Sequence, residues 1–231
     1  MSKGYYQIGK NRVAAIDGDC AFPPLEHALT EPNGLLAIGG ELTTTRLLDA
    51  YKQGIFPWFS EGEPVMWWSP NPRMVLFPDE LKISNSLKKT LKTHTFETRM
   101  DTAFQAVIGG CSHTPRSGQN GTWITPEIID AYCALHAQGF VISSECWLEN
   151  ELVGGCYGVL INNMFYGESM FYTQPNASKS AFVKLVERLK YQGVGMIDCQ
   201  MNTPLLASFG GREIARKEFS QLLTKLVNLN I

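Results

Sequence analysis

Hydrophobic positions predict alternating helices and strands over the last two thirds of the chain. A period of 3.6 residues, interrupted by glycines, predicts helices over 84–93, 102–111, 126–138, 177–192 and 217–227. Apolar runs rich in β-branched and aromatic residues predict strands over 141–148, 151–160, 164–171 and 194–200. The pair Asn162–Asn163 between two of these runs indicates a hairpin. A hairpin, a helix and a further strand indicate an α+β domain with a mixed, mainly antiparallel sheet, which is the element order of N-acyltransferase folds.

Capping residues support these helix boundaries. Ser84, Thr125 and Asn176 precede three of the predicted helices, and their side chains are expected to accept the first free backbone N–H groups. Pro126 suits the first helical position, and Gly139 ends the same helix. Glycines are also expected to end the helix over 102–111.

The first third of the chain has a different character, dense in proline, glycine and tryptophan. A threonine-capped helix over 43–54, stopped by Gly54, and a strand over 74–77, closed by Pro78, are its regular predictions. The proline-rich turn near residue 72 indicates a boundary between a small N-terminal α/β domain, 1–72, and an acyltransferase-like domain, 73–231. Most members of one aromatic cluster should form the small domain's core, with one or two lining a pocket: Phe56, Trp58, Phe59, Trp67 and Trp68.

The net charge of the chain provides no general electrostatic attraction for nucleic acid. The 231 residues carry a formal net charge of -2, so a nucleic-acid partner would have to be held by a local patch. The best basic cluster is Lys88, Lys89 and Lys92, which share one face of the helix over 84–93. This face is either a phosphate-contacting stripe or an ordinary solvated surface.

Cysteine usage and hydropathy indicate a cytoplasmic protein. The six cysteines form no C-x-x-C pair, which argues against a zinc knuckle and favours free thiols in a reducing compartment. The first ten residues lack the apolar core of a signal peptide. No apolar run approaches the ~18 residues that a membrane span needs, so we expect no membrane partner.

Reactive side chains stand where the strand over 194–200 ends. Strand alternation predicts that Asp198 and Gln200 share one face, while Cys199 points to the core. The Asp–Gln pair either addresses a small site or caps the following turn. Glu168, inside an apolar strand and flanked by Tyr166 and Ser169, either binds an ammonium or amide group or lies on a solvated face.

Three other chemistries are weaker interpretations. A cysteine hydrolase using Cys199 with His136 or His113 lacks a local nucleophile signature. A coenzyme A acetyltransferase would need glycines where the turn over 173–180 has none, although the acyltransferase scaffold remains. A non-catalytic nucleic-acid-binding protein remains an alternative that an assay of catalysis would separate.

Several ordered motifs resemble those of the bacterial leucyl/phenylalanyl-tRNA–protein transferases. They are F-P-P-L, E-P-N-G-L-L-A-I-G-G-E-L, G-I-F-P-W-F, W-W-S-P-N-P-R, G-T-W-I-T, G-E-S-M-F, N-A-S-K and I-D-C-Q, between about residues 20 and 220. The resemblance implies an N-acyltransferase (GNAT-like) domain behind a small N-terminal domain. It implies transfer of Leu, Phe or Met from aminoacyl-tRNA to the α-amine of proteins that begin with Arg or Lys, which creates a degradation signal. It also implies no cofactor, metal or ATP, and we expect a monomer.

The resemblance also implies roles for individual residues. Asp198 and Gln200 would be the catalytic pair, with Asp198 orienting the attacking amine and accepting part of its proton. Glu168 would bind an ammonium group, with Ser169 beside it in the substrate site. Trp58 and Trp123 would lie near the terminal adenosine. An apolar bowl for the donor side chain would comprise Cys156, Phe165, Leu185 and Leu189, and the tRNA contacts would be Lys88, Lys89 and Lys92.

Overall fold

A five-stranded sheet forms the first part of the protein. The computed structural model describes residues 4–18, 20–93, 96–114 and 122–228, so Gly121 of the G-T-W-I-T motif lies outside the described residues. The strands of this sheet follow the order β1-β2-β3-β5-β4. Their bounds are Gly4–Ile8 (β1), Asn11–Ile16 (β2), Leu35–Gly39 (β3), Phe56–Pro57 (β4) and Met66–Trp68 (β5). These strands are short and interrupted by glycine and proline, so the sequence pattern did not predict them.

Helix α1, Thr44–Lys52, lies within this first part, as predicted. The Thr43 side chain accepts the N–H of Arg46 at its start. Gly54 follows its end with φ of 77°. A Cβ on Gly54 would lie 2.8 Å from the Phe219 ring, so this glycine allows close packing against the last helix as well as the turn.

A seven-stranded sheet forms the rest, in the order β12-β6-β11-β10-β9-β8-β7. Its strands are Arg73–Leu76 (β6), Glu97–Met100 (β7), Val141–Leu148 (β8), Glu151–Ile161 (β9), Met164–Tyr172 (β10), Met196–Gln200 (β11) and Arg212–Ile214 (β12). β10 and β11 pair in parallel, and the other neighbours are antiparallel. The predicted hairpin joins β9 to β10, and a helix crosses from β10 to β11. The predicted α+β class and the mixed, mainly antiparallel sheet are therefore confirmed.

In the part of the chain that the structure describes, six further α-helices pack around this sheet. They are Asn85–Lys92 (α2), Phe104–Ser112 (α3), Pro126–Ala137 (α4), Ala177–Tyr191 (α5), Pro204–Ser208 (α6) and Arg216–Val227 (α7). Ser84 and Thr125 cap α2 and α4 as predicted. The predicted cap at Asn176 is wrong, because this residue has a left-handed φ of 70° and its side chain makes no capping bond. Among the described helices, none is both long and apolar enough to cross a membrane.

The end predicted for α3 also differs from the structure. Gly109 and Gly110 lie inside the helix rather than after it. A Cβ on Gly110 would lie 2.7 Å from the Phe171 ring, so the glycine there allows the helix to approach β10 closely. A glycine that packs against a neighbour has the same sequence signal as one that ends a helix.

Two hydrophobic clusters fill the protein. One joins the first sheet, α1, α3 and α4, and the other joins α2 and α5 to the opposite side of the large sheet. Four aromatic residues of the predicted cluster are buried: Phe56, Phe59, Trp67 and Trp68. Trp58 is 40% exposed, and it lies on the wall of a cavity between the two parts of the fold.

Candidate active site

A cavity of about 550 Å³ lies between the rim of the first sheet and strands β10 and β11. Helices α5 and α6 close its other side. Most residues predicted to touch substrate border it: Trp58, Trp123, Cys156, Phe165, Glu168, Ser169, Leu185 and Gln200. Leu189 does not border the cavity, because it lies one turn farther along α5 and is fully buried in the core. Its predicted place in the apolar bowl is therefore corrected.

One side of the cavity is apolar. Phe165 and Cys156 form its base, and Leu185 projects from α5. Sequence reasoning missed several more apolar residues of this wall: Met170, Phe182, Ile197, Leu205 and Leu206. The short helix α6, which carries two of them, was not predicted because five residues show no helical period. An apolar wall of this extent suits an aliphatic or aromatic side chain.

Glu168 forms the polar side of the cavity. The register of β10 against β9 shifts between Gly167 and Ser169, and this bulge takes Glu168 out of the regular alternation. The Tyr51 hydroxyl donates to Oε1 at 2.8 Å, and the Tyr132 hydroxyl donates to Oε2 at 3.1 Å. The two tyrosine hydroxyls also lie within hydrogen-bond distance of each other. Since each hydroxyl has one proton, all three bonds form together only when Glu168 is protonated. Glu168 is therefore held by α1 and α4 as well as by its own strand.

Burial controls the ionisation of this group. Desolvation raises the pKa of Glu168 to about 7, and the charge of Asp198 acts in the same direction. Hydrogen bonds from Tyr51, Tyr132 and Gln200 oppose this shift because they stabilise the carboxylate. Burial also raises the pKa values of Tyr51 and Tyr132, so both remain hydrogen-bond donors at neutral pH. Glu168 can thus gain or lose a proton near neutral pH.

Asp198 lies behind the cavity and does not border it. Its side chain is fully buried in the middle of the large sheet, between β6 and β10. Arg73 of β6 donates from Nε to Oδ1 at 2.8 Å and from Nη2 to Oδ2 at 2.6 Å. The guanidinium carbon lies 4.8 Å from the Phe56 ring centroid and 4.7 Å from that of Phe219. Asp198 is therefore engaged in a bidentate, fully desolvated ion pair.

A bulge at the end of β11 separates Gln200 from Asp198. The register of β11 against β6 shifts between these two residues, and Gln200 has a left-handed φ of 61°. The Gln200 N–H donates to Asp198 Oδ1 at 2.9 Å, and Gln200 Nε2 donates to Glu168 Oε1 at 3.1 Å. The expectation that Asp198 and Gln200 share one face is therefore wrong, since simple alternation stops at the bulge.

Cys199 is buried, as predicted, and it also borders the apolar wall. Desolvation raises the pKa of its thiol far above the ordinary range. His136 bonds to Asp101 at 2.9 Å, and His113 bonds to the carbonyl of Gly109 at 2.8 Å. This arrangement does not support a thiol nucleophile, which needs a lowered pKa or an adjacent base.

The lysine face lies on α2, away from the core. Lys88, Lys89 and Lys92 are exposed, while Leu87 on the other side of the helix is buried. Asn176, before α5, donates to the Thr90 hydroxyl of α2 at 3.4 Å. The lysines form one accessible basic face, and their contact with tRNA stays a prediction.

Sequence reasoning also missed Arg73, Tyr51 and Tyr132, which hold the polar groups of the site. Tyr51 and Tyr132 fall within predicted helices and read as ordinary core residues. Arg73 had a usable signal, because an arginine beside the apolar strand over 74–77 needs a partner when buried. That signal indicates a buried ion pair without identifying the partner.

Comparison with known proteins gives consistent matches over most of the chain. The family model described as leucyl/phenylalanyl-tRNA protein transferase matches residues 75–224, and the model of that family's N-terminal domain matches 40–71. A leucyl/phenylalanyl-tRNA–protein transferase of Nitrosomonas eutropha is 56% identical over 216 residues, covering 94% of this chain and 92% of the relative. The enzyme of the same name from Chromobacterium violaceum is 57% identical over 206 residues, covering 89% and 88%.

One solved structure with a similar chain path is more distant in sequence. "The structure of L-PGS from Bacillus licheniformis" is 12% identical, with a TM-score of 0.47, and the match covers 98% of this chain and 85% of that one. At this TM-score, the fold assignment rests on the strand order and connections described above.

Proposed function

The chain belongs to the family of leucyl/phenylalanyl-tRNA–protein transferases, and we propose that it transfers Leu, Phe or Met to proteins that begin with Arg or Lys. The protein is an aminoacyltransferase that takes its amino acid from tRNA and gives it to a protein. The product of this transfer in the cytoplasm is a degradation signal at the N-terminus of the acceptor protein. The observation that carries the proposal is one cavity with an apolar wall and the Glu168–Gln200 pair opposite.

The apolar wall supports the choice of donor. Leu, Phe and Met are all uncharged and of similar length, and a wall of aliphatic, aromatic and sulfur-containing side chains accommodates each of them. Such a wall separates ligands that differ by one methylene by only ~1–3 kcal/mol, so overlapping donor use is expected. A charged donor side chain would lose its hydration there without gaining a partner.

Tryptophans at the cavity support binding of the terminal adenosine of tRNA. Trp58 is partly exposed, and its ring centroid lies 5.4 Å from that of Trp68 in an edge-to-face arrangement. The Trp68 indole donates to the carbonyl oxygen of Trp58 at 2.6 Å, which fixes this corner. Trp123 also borders the cavity. Stacking of a base on an aromatic ring contributes ~1–3 kcal/mol, so one exposed indole is a substantial part of such a site.

Glu168 supports recognition of an amine acceptor. Among the described residues that line the cavity, Glu168 alone carries an acidic group. In its ionised form it attracts the acceptor's α-ammonium, whose pKa is ~7.7–8. The carboxyl pKa of about 7 is close enough to that value for proton transfer between the two groups to be nearly balanced. We assign proton acceptance to Glu168, because both oxygens of Asp198 already hold Arg73.

The reaction then proceeds by attack of the neutral amine on the ester carbonyl carbon of aminoacyl-tRNA. A C–N bond forms, and the carbonyl oxygen takes up negative charge in the tetrahedral intermediate. Gln200 Nε2 donates one of its two hydrogens to Glu168, and we assign the second hydrogen to that oxygen. Glu168 accepts the proton that the nitrogen loses as the C–N bond forms. When the bond to the ribose oxygen breaks, the carbonyl re-forms and this proton passes to the leaving ribose oxygen. The activated ester supplies the driving force, so the enzyme mainly positions and stabilises.

Transfer of labelled phenylalanine from Phe-tRNA tests the proposal. The acceptors are peptides that differ only in the first residue, which is Arg, Lys, Gly or Glu, together with the Arg peptide blocked by Nα-acetylation. We expect transfer to the free Arg and Lys peptides. We expect none to the blocked Arg peptide or to the Gly and Glu peptides. Equal labelling of all free peptides would refute the proposed acceptor choice. Labelling from acetyl-coenzyme A in its place would refute the tRNA donor.

A further inference from the structure

Arg73 is buried behind the candidate active site and does not border the cavity. It is 1% exposed, and Asp198, its partner in the ion pair, is 0% exposed. The two rings of Phe56 and Phe219 contact the guanidinium group. Placing both charges in the interior has a large desolvation cost, which the bidentate geometry and the aromatic contacts offset. A buried ion pair of this kind often adds little net stability, so stability alone does not account for Arg73.

A continuous series of hydrogen bonds leads from Arg73 to the cavity. Arg73 Nε and the Gln200 N–H both donate to the same oxygen of Asp198, at 2.8 Å and 2.9 Å. Gln200 Nε2 then donates to Glu168 Oε1 at 3.1 Å. The carboxylate of Asp198 is therefore the fixed centre, and the backbone and side chain of Gln200 carry its position to the substrate side.

The backbone of Gln200 needs such an anchor. Its φ of 61° lies in the left-handed region, which is uncommon for residues other than glycine, asparagine and aspartate. The residue also stands at the register shift that ends β11, where regular ladder bonds no longer hold it. Strained conformations of this kind persist only where the surroundings over-determine them, and they cluster at functional sites. The Asp198 carboxylate supplies that restraint through the Gln200 N–H.

We propose that Arg73 is a positioning residue of the transfer reaction, which orients the Asp198 carboxylate and thereby holds Gln200 in its left-handed turn. This inference rests on the proposed role of Gln200 at the reacting ester. Arg73 touches neither substrate, so its effect on the rate passes through Gln200. A purely structural Arg73 would instead change the rate only through loss of folded protein.

A double-mutant cycle distinguishes the two roles. Arg73→Lys keeps the charge but replaces the planar two-point contact by a single ammonium group. Single-turnover transfer from Phe-tRNA is measured for wild type, Arg73→Lys, Gln200→Ala and the double variant, with thermal melts and the donor concentration dependence for each. Arg99→Lys is the matched control, because Arg99 makes the same two-point contact with Glu97 and stacks on Trp147 at the far edge of the sheet.

Arg73→Lys is expected to lower the single-turnover rate about tenfold. Complete removal of a preorganised hydrogen-bond donor lowers a rate by ~10²–10³, and misplacing Gln200 should cause part of that loss. Its half-saturating concentration of Phe-tRNA should stay unchanged, since the cavity walls are intact. In the Gln200→Ala background, the same substitution should change the rate less than about twofold, because interacting residues are non-additive. Arg99→Lys should match wild type.

An equal fold-loss in both backgrounds would overturn the proposal, and so would an unchanged rate in a folded Arg73→Lys protein. Either result leaves the acceptor and donor choice standing, because wild-type transfer to the Arg peptide tests that separately. If Arg73→Lys melts below the assay temperature, Phe219→Leu takes its place. It removes one of the two rings that hold the guanidinium group, while both side chains of the ion pair and the cavity residues are kept. The same pattern of non-additivity then decides the matter.

Discussion

Glu168→Gln should stabilise the protein at alkaline pH and lose that advantage at acidic pH. The substitution keeps the shape of the side chain and removes its ionisation. In the folded protein, burial raises the pKa of Glu168 from 4.5 to about 7. A carboxyl group with a raised pKa favours the folded state below the unfolded pKa of 4.5, and this contribution is lost as pH rises through 7. Above pH 7 the folded wild type holds an ionised, poorly solvated carboxylate.

The size of the effect follows from proton linkage. A shift from 4.5 to about 7 corresponds to about 3.4 kcal/mol over the whole titration, at 1.36 kcal/mol per pKa unit. Between pH 5 and pH 8 the same two pKa values give about 2.5 kcal/mol. Because Glu168 is partly exposed, solvent screens part of its charge, and we expect about 1–2.5 kcal/mol. The wild type should lose this free energy of unfolding between pH 5 and pH 8 relative to Glu168→Gln.

Urea unfolding of both proteins at pH 5, 6, 7 and 8 measures this difference. Glu145→Gln is the control with the opposite sign. Burial alone would raise the pKa of Glu145, but bonds from the Thr102 hydroxyl, the Ala103 N–H and the Ser143 hydroxyl outweigh it, and the pKa lies below its usual value. Its carboxylate therefore contributes stability above pH 4.5, so Glu145→Gln should destabilise the protein by a constant amount from pH 6 to pH 8. A wild-type minus Glu168→Gln difference that does not change with pH would refute the reasoning.

Three further variants test other parts of the site. Asp198→Ala leaves its guanidinium partner buried and unpaired, so the variant should lose ~3–5 kcal/mol of unfolding free energy as well as turnover. Denaturant melts and transfer rates measure the two losses. An inactive variant of full stability would show that the ion pair is not needed for folding. Combined replacement of Lys88, Lys89 and Lys92 by Ala should weaken the salt dependence of tRNA binding. The slope of log K against log salt concentration should fall by ~0.7–0.9 for each phosphate that the protein no longer binds. An unchanged slope would show that this face is only solvated. Leu185→Phe fills the apolar wall and should reduce transfer of Phe about tenfold more than transfer of Leu, whereas equal losses would contradict the assigned bowl.

The parts of the fold that local signals determine could be predicted from the sequence. Helix α4 has a threonine cap, a proline in its first turn and a glycine after its end, and each of these acts within a few residues. The β9–β10 hairpin has its asparagine pair between two long apolar runs. The first sheet could not be predicted in this way. Its strands β3 and β5 pair across a helix and a glycine-rich stretch, so only tertiary contacts select that pairing.

The same distinction between local signals and tertiary contacts applies to the candidate site. Cavity residues on long periodic elements, such as Leu185 and Phe165, follow from pattern and resemblance. The contacts that organise them join distant parts of the chain: Arg73 and Asp198 are 125 positions apart, and Tyr51 and Glu168 are 117 positions apart. Nothing in the neighbouring sequence of either partner specifies the other.

Gln200 shows why the polar side of the site departs from sequence rules. Alternation along β11 would put its side chain beside that of Asp198, and glutamine has no intrinsic preference for a left-handed backbone. The bulge places the two side chains apart, so that a charged, dry ion pair lies behind the wall and a neutral amide lies in the cavity. The neutral amide and the carboxyl group with a pKa of about 7 therefore border the cavity, and the ion pair does not. The local rule fails at the residue that separates the permanent charge from the groups that we propose to react, which is where functional constraint is expected to override local preference.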